Sequence, residues 1–247
     1  MRDASSVMPR PLSNSKEAIF DYCTCFVHAI LPQRCLLCTA AAPLRPLCDA
    51  CHAQLPALTH ARCPQCATPT TAAQLCGACI ANPPAYASVS AAYQYAWPFS
   101  TLIQQFKYAG NLALAPMLAE ALCASRPTPV DLIVPMPLGP ARLSERGFNQ
   151  ALELARVASV LTNTPLSANA CRRVQDRAPQ AMLPWRERAK NIRGAFVYNT
   201  NLSGLRVAVV DDVMTTGATL NELARTLRKA GATEVHGWMV GRTLKQG

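Results

Sequence analysis

Acidic residues are scarce in this chain, with 14 Asp plus Glu against 24 Lys plus Arg and a net charge of +10. The deficit biases the protein towards phosphate-rich partners, either small ligands or nucleic acid. Long apolar runs are absent too. Nowhere do ~18 apolar residues follow one another, which argues against a membrane-inserted helix. The N-terminus, with Arg2, Asp3 and Arg10, lacks the basic-then-apolar layout of a secretory signal, so the expectation is a soluble, cytoplasmic protein. Aromatic residues make up 6% of the chain. Only Phe148, Trp185, Phe196 and Tyr198 accompany its most basic stretch, a thin array for stacking single-stranded bases. No glycine-rich loop ends in Gly-Lys-Ser/Thr, which excludes a P-loop.

What is present is better ordered. The 247 residues, half of them hydrophobic, suffice for one domain of roughly 150 residues and a smaller module. The basicity is local: between Arg142 and Arg193 stand ten basic and four acidic residues, so +6 of the +10 falls in one segment.

The most informative stretch runs from Val207 to Thr219. Val207-Ala208-Val209-Val210 suits a parallel strand covered on both faces. Asp211 and Asp212 follow, and then Thr215-Thr216-Gly217-Ala218-Thr219, a small, hydroxyl-rich loop hinged on glycine. Leu220, Leu223, Ala224 and Leu227 recur at helical spacing, and Gly231 marks the helix end. Successive N–H groups in such a loop, with the positive end of the next helix, seat a phosphate dianion. Carboxylates beside a seat for negative charge look instead to sugar hydroxyls or hydrated magnesium. The succession resembles the phosphoribosyl-pyrophosphate signature of type I phosphoribosyltransferases. A single capping Asp or Thr at an ordinary strand-turn-helix corner would not need all of it.

Eight of the 12 cysteines form four Cys-x-x-Cys pairs: Cys35/Cys38, Cys48/Cys51, Cys63/Cys66 and Cys76/Cys79. Each half reads Cys-x2-Cys-x9-Cys-x2-Cys, and the second follows the first by 28 residues, an internal duplication. Two such knuckles supply the four tetrahedral sulfurs that zinc prefers, so two structural zinc ions are expected. Sequential grouping is favoured over an interleaved cross-brace, because each half is self-sufficient. A disulfide framework does not suit a cytoplasmic protein, and a thioredoxin motif would be single. His52 and His60 are surplus once each zinc has four thiolates. Cys23, Cys25, Cys123 and Cys171 are read as buried apolar residues.

Residues 1–15 are polar and patternless and are read as a disordered lead, followed by a short helix bearing Ala18, Ile19, Tyr22, Phe26 and Ile30. The expected modules are 1–32, the lead and helix; 33–82, a double zinc ribbon; and 83–247, an α/β domain, with Asn82-Pro83-Pro84 at the boundary. Strand patterns near 86–95, 131–134, 195–198 and 234–240 alternate with helical ones near 101–108, 112–124 and 148–161, as a parallel sheet flanked by helices requires.

Three more motifs stand in order: Phe106-Lys107-Tyr108-Ala109-Gly110; Pro135-Met136-Pro137-Leu138 leading to Arg142 and Arg146-Gly147-Phe148-Asn149-Gln150; and Gln180 through Arg188, Asn191 and Gly194-Ala195-Phe196. With the paired cysteine knuckles, they resemble the ComF/GntX family from about Leu31 to Arg242. Asn111 stands where members often carry Asp, and Arg177 where Thr is common. The resemblance implies an N-terminal zinc ribbon joined to a type I phosphoribosyltransferase-like parallel sheet. Some members are linked to DNA uptake in natural transformation, which brings single-stranded DNA and competence-machinery proteins into view as partners. It also implies that phosphoribosyl pyrophosphate binds with magnesium. Asp211 and Asp212 would orient the ribose, Thr215 to Thr219 would hold the 5-phosphate, and the Pro135-Met136-Pro137 turn would hold the pyrophosphate. Arg142, Arg146 and, more weakly, Lys107 could pair with phosphate oxygens. Asn149 and Gln150 serve either capping or ligand contact. The 180–193 stretch serves as a hood or a nucleic-acid-facing surface.

Three functions remain open on these residues. One is transfer of ribose-5-phosphate to an acceptor that no motif names. Another is a competence factor that binds single-stranded DNA and uses the pocket for regulation or for chemistry on DNA. The last is a zinc-ribbon adaptor with an idle site, which the intact Asp211 to Thr219 motif opposes.

Overall fold

The structure is a computed structural model, described here for residues 34–43, 45–59, 61–125, 128–174 and 192–244. The expected helix before Pro32, Cys23, Cys25, His60, Arg177, Trp185 and the 180–191 motif lie outside these residues. The chain divides into two compact units, Met1–His52 and Ala53–Gly247.

The first unit carries one cysteine ribbon. Arg34 and Ala41 form an antiparallel bridge that closes the Cys35/Cys38 knuckle, and α1 (Asp49–Ala53) carries Cys51. In the second unit the same construction returns 28 residues later. Arg62 bridges Pro69, and α2 (Gly77–Ala81) carries Cys79. Thr39 and Ala67, each following the second cysteine of a knuckle, both adopt positive φ, at 63° and 57°. The sequence duplication is therefore a duplication of backbone conformation.

The rest of the second unit is built on a parallel sheet. Its strands are β1 (Ser88–Gln94), β2 (Leu132–Pro135), β5 (Arg206–Met214) and β6 (Glu234–Arg242), in the spatial order β1-β6-β5-β2. Between β1 and β2 run α3 (Phe99–Tyr108), a single 3-10 turn and α4 (Ala115–Ala124). After β2 come α5 (Pro140–Arg146) and α6 (Gln150–Thr162), and α7 (Ala218–Lys229) joins β5 to β6. A separate antiparallel pair, β3 (Cys171–Arg173) with β4 (Phe196–Tyr198), flanks the undescribed 175–191 segment.

Strand alternation sorts the core into two faces. Val207 and Val209 of β5 join Val134, Val89, Val235 and Met239 in one cluster with Leu220, Leu223 and Leu227 of α7. Cys63, Cys66, Cys79 and Tyr86 belong to that same cluster, so the second ribbon is part of the domain core. Ala208, Val210 and Trp238 are fully buried on the opposite face, where α4 and α6 pack on each other and on the strands. Each fully buried leucine on α7 contributes about 2 kcal/mol of hydrophobic stabilisation, enough to hold a helix whose isolated stability would be marginal.

The observed strands and longer helices fall where the apolar patterns put them, with three differences. The β5 strand does not stop at Val210. It carries Asp211 and Asp212 within it, because β6 continues to pair as far as Met214 opposite Arg242. Residues 140–146 form a helix that begins on proline, and β3 was not anticipated because its three residues carry no alternation of their own. Cys171 is buried, as expected, whereas Cys123 is only half-buried.

Candidate phosphoribosyl and zinc sites

In each ribbon the four cysteine sulfurs lie within 4.8 Å of one another, grouped as Cys35, Cys38, Cys48, Cys51 and as Cys63, Cys66, Cys76, Cys79. The grouping is sequential, as the spacing favoured. Cys38 and Cys48 sulfurs stand 3.6 Å apart, and so do those of Cys66 and Cys76. A tetrahedron of Zn–S bonds near 2.3 Å has edges of about 3.8 Å, so both sets fit zinc. The knuckle backbone prepares the ligands. Burial raises the Cys35 thiol, but N–H groups of Cys38, Cys48 and Leu37 outweigh it and hold the thiol at about 6. Burial likewise opposes ionisation of Cys63, and N–H groups of Cys76, Cys66 and Gln65 bring it to about 7. The donor positions match at the 28-residue offset. His52 is exposed and stands outside the ligand set.

The second site is assembled at the carboxyl rim of the sheet. The last β2–β5 pair is Pro135 with Val210, and the N–H of Met136 donates to the Val210 carbonyl at 2.8 Å. The Pro135-Met136-Pro137 turn therefore leaves β5 at the point where Asp211 begins, and the two expected ligand loops are neighbours on one rim. Asn149 holds that turn from the other side. Its Nδ2 donates to the Met136 carbonyl at 3.1 Å, while its Oδ1 accepts from Ala151 N at 3.0 Å and caps α6. Of the two roles open to Asn149, capping is present together with support of the turn. Gln150 is buried within the first turn of α6.

The acidic pair is not a pair of equals. Adjacent strand residues point to opposite faces. Asp212 is buried and meets Lys107 of α3, with Nζ 2.7 Å from Oδ2. Asp211 keeps part of its surface open. Deep in protein mass, its carboxyl is pushed up to about 8 by burial first and by the Asp212 charge second, against the pull of Lys107. Asp211 is thus the more open residue of the pair, with Oδ1 accepting from Asp212 N at 2.9 Å.

Beyond Met214 the chain bends through Thr215, Thr216 and Gly217 before α7. Gly217 has φ +80° and caps the helix. A Cβ there would lie 2.7 Å from Met214 Cε and 3.0 Å from the Tyr86 hydroxyl, so only glycine fits without adjustment. Thr216 Oγ1 accepts from Ala218 N at 3.1 Å. The N–H groups of Thr216, Gly217 and Thr219 have no acceptor among the described residues. Free N–H groups beside a helix N-terminus are the parts from which an anion cradle is built.

Three successive α3 residues tie that helix to β5, to the end of α5 and to the loop after α5. Phe106 is buried edge-to-face against Phe148, at 6.2 Å between ring centroids. Lys107 takes Asp212, and the Tyr108 ring lies under the Arg146 guanidinium at 5.0 Å. Arg142 is half-buried on the same helix as Arg146. The residues missed by sequence reasoning are Tyr86 and above all Arg242, while Tyr108 stood in a quoted motif without a role of its own. The signal for Arg242 was a charge continuing an apolar strand at the carboxyl edge of a parallel sheet.

This geometry defines a double zinc ribbon followed by a phosphoribosyltransferase-like domain. Family comparisons agree: the chain matches the double zinc ribbon domain over residues 26–80 and the phosphoribosyl transferase domain over 152–240. It is 36% identical over 159 residues to Competence protein F of Haemophilus influenzae, spanning 60% of this chain and 69% of the relative. It is also 36% identical over 158 residues to DNA utilization protein YhgH of Escherichia coli, spanning 61% and 70%. The chain belongs to the ComF family. Among solved structures, it is similar to a glutamine phosphoribosylpyrophosphate amidotransferase from B. subtilis at 21% identity, with a TM-score of 0.37. That likeness covers 51% of this chain and 26% of the other. Among the described residues no helix is long and apolar enough to cross a membrane.

Proposed function

We propose that the protein binds phosphoribosyl pyrophosphate with magnesium in the cytoplasm and transfers ribose-5-phosphate to an acceptor. The observation that carries this reading is one rim holding the unpartnered N–H groups at the α7 N-terminus, the part-exposed Asp211 and the Met136 turn. The 5-phosphate would lie on the N–H groups of Thr216, Gly217 and Thr219. Asp211 would orient the ribose hydroxyls, and the Pro135-Met136-Pro137 turn would receive the pyrophosphate. In the transfer, an acceptor nucleophile forms a bond to the ribose C1 as the bond from C1 to the pyrophosphate oxygen breaks. Negative charge then grows on the leaving pyrophosphate, where Arg142 and Arg146 on α5 would stabilise it, with Lys107 as a weaker contributor. Magnesium, held through Asp211 and the pyrophosphate itself, would supply further charge neutralisation.

Calorimetry with phosphoribosyl pyrophosphate and magnesium tests this reading on zinc-loaded protein. Binding is expected in the wild type and is lost in Asp211→Asn/Asp212→Asn. A well-folded wild type that does not bind would overturn it.

Relatives named for competence and DNA utilization support a second reading, a competence-associated protein; in this reading it would handle single-stranded DNA and use the pocket for regulation. Arg172 and Arg173 on β3 lie in the basic segment that would meet DNA phosphates. DNA binding through many phosphates should weaken steeply as salt rises, whereas the small-ligand site should respond less.

A further inference from the structure

Arg242 ends β6 opposite Met214, and its side chain is buried. Its guanidinium is divided between two structures. On one side Nε donates to the Cys66 carbonyl at 3.0 Å and a terminal nitrogen donates to Thr68 Oγ1 at 3.3 Å, both in the second ribbon. On the other side the second terminal nitrogen donates to the carbonyls of Met214 at 3.2 Å, Thr215, and Thr243 at 2.7 Å. The fork spans the ribbon and Thr215, the residue that opens the loop before α7.

Two further contacts run along the same path. Thr68 Oγ1 lies 3.2 Å from Cys66 Sγ, so one hydroxyl can accept from the guanidinium and donate to a thiolate. Tyr86 accepts from Gln65 Nε2 at its carbonyl, at 3.3 Å, and its hydroxyl lies 3.0 Å from where a Cβ on Gly217 would stand. The Arg242 charge faces no carboxylate among the described residues, and a buried unpaired cation is costly. Four thiolates around a Zn2+ ion would carry two net negative charges, which would provide the missing counter-charge.

We propose that Arg242 is a positioning residue through which the second cysteine ribbon sets the anion cradle. Zinc at Cys63, Cys66, Cys76 and Cys79 then governs affinity for the phosphoribosyl ligand, while zinc at Cys35, Cys38, Cys48 and Cys51 does not. The proposal rests on the phosphoribosyl-pyrophosphate reading only for its affinity readout. Loss of metal would leave the guanidinium without its counter-charge, release the fork from Cys66 and Thr68, and free Thr215.

The test uses full-length protein carrying Cys48→Ser, which leaves only the second site complete, or Cys76→Ser, which leaves only the first. Arg242→Lys keeps the charge but cannot bridge both sides. Zinc content, affinity for phosphoribosyl pyrophosphate with magnesium, and the Met214 methyl resonance without ligand are measured in each. Affinity is expected to stay at the wild-type value in Cys48→Ser. It should fall by about tenfold or more in Cys76→Ser and Arg242→Lys, as for loss of a hydrogen bond to a charged group. The Met214 resonance should broaden or split in the latter two alone. Chelating the zinc from Cys48→Ser should reproduce the Cys76→Ser behaviour, which keeps the test decisive if Cys76→Ser does not fold. Unchanged affinity and an unchanged Met214 resonance in chelated Cys48→Ser and in Arg242→Lys would overturn the strut. Failure of the wild type to bind would instead overturn the functional reading, leaving the methyl resonance to decide the strut.

Discussion

Lys107 Nζ stands 2.7 Å from Asp212 Oδ2, and the carboxylate side chain is only 7% exposed. The ion pair crosses from α3 to β5 and holds one member of the acidic pair before any ligand arrives. Removing one partner of a buried pair leaves the other charge uncompensated. Lys107→Met should therefore destabilise the protein by roughly 3 kcal/mol. In the double variant Lys107→Met/Asp212→Asn much of that loss should return, because no buried charge is left alone. Urea unfolding of the two single variants and the double one gives the coupling. Strictly additive losses would show that the pair does not stabilise the fold.

Gly217→Ala would place a side chain at φ +80°, beside Met214 and the Tyr86 hydroxyl. The left-handed conformation alone costs about 1–2 kcal/mol for a residue with a Cβ. Relief by bending away would disturb the N–H groups that form the cradle. The variant should unfold at lower denaturant and bind phosphoribosyl pyrophosphate more weakly. Tyr86→Phe in the same background should recover part of the stability by removing one close atom.

Asp211 has a directional pH signature. Its carboxyl is raised to about 8 in the folded chain, far above the ordinary carboxylate range, so between those values the folded state holds the proton more tightly than the unfolded one. Stability from this group is present below the lower value and is lost as pH rises towards the higher one. Asp211→Asn removes that slope. Measured by urea unfolding at pH 5, 6.5 and 8, the variant should gain on the wild type steadily with rising pH. A constant difference across the three pH values would show that Asp211 is already ionised.

The parts legible in the sequence were those set by local pattern. The four apolar residues before Asp211 gave a buried strand, the small loop gave the glycine-capped bend into α7, and the 28-residue offset gave two ribbons with sequential ligands. What escaped depends on long-range pairing. The extension of β5 through the acidic pair follows from its register with β6, and it separates the roles of Asp211 and Asp212. Arg242 lies 176 positions from Cys66, and nothing local to either residue announces that one donates to the other. Tyr108 and Arg146 come together beside the contact of Phe106 with Phe148, two pairings distant in sequence.

Asn149 offers a way to separate fold stability from organisation of the site. Its Oδ1 caps α6, which is worth about 1 kcal/mol, while its Nδ2 restrains the Met136 carbonyl in the turn expected to receive pyrophosphate. Serine caps helices nearly as well as asparagine but has no amide to reach Met136. Asn149→Ser should therefore unfold close to the wild type while its affinity for phosphoribosyl pyrophosphate falls several-fold. Asn149→Ala should lose both stability and affinity. If Asn149→Ser binds as tightly as the wild type, the Met136 turn does not depend on this restraint, and its part in holding pyrophosphate would have to rest on the two prolines alone.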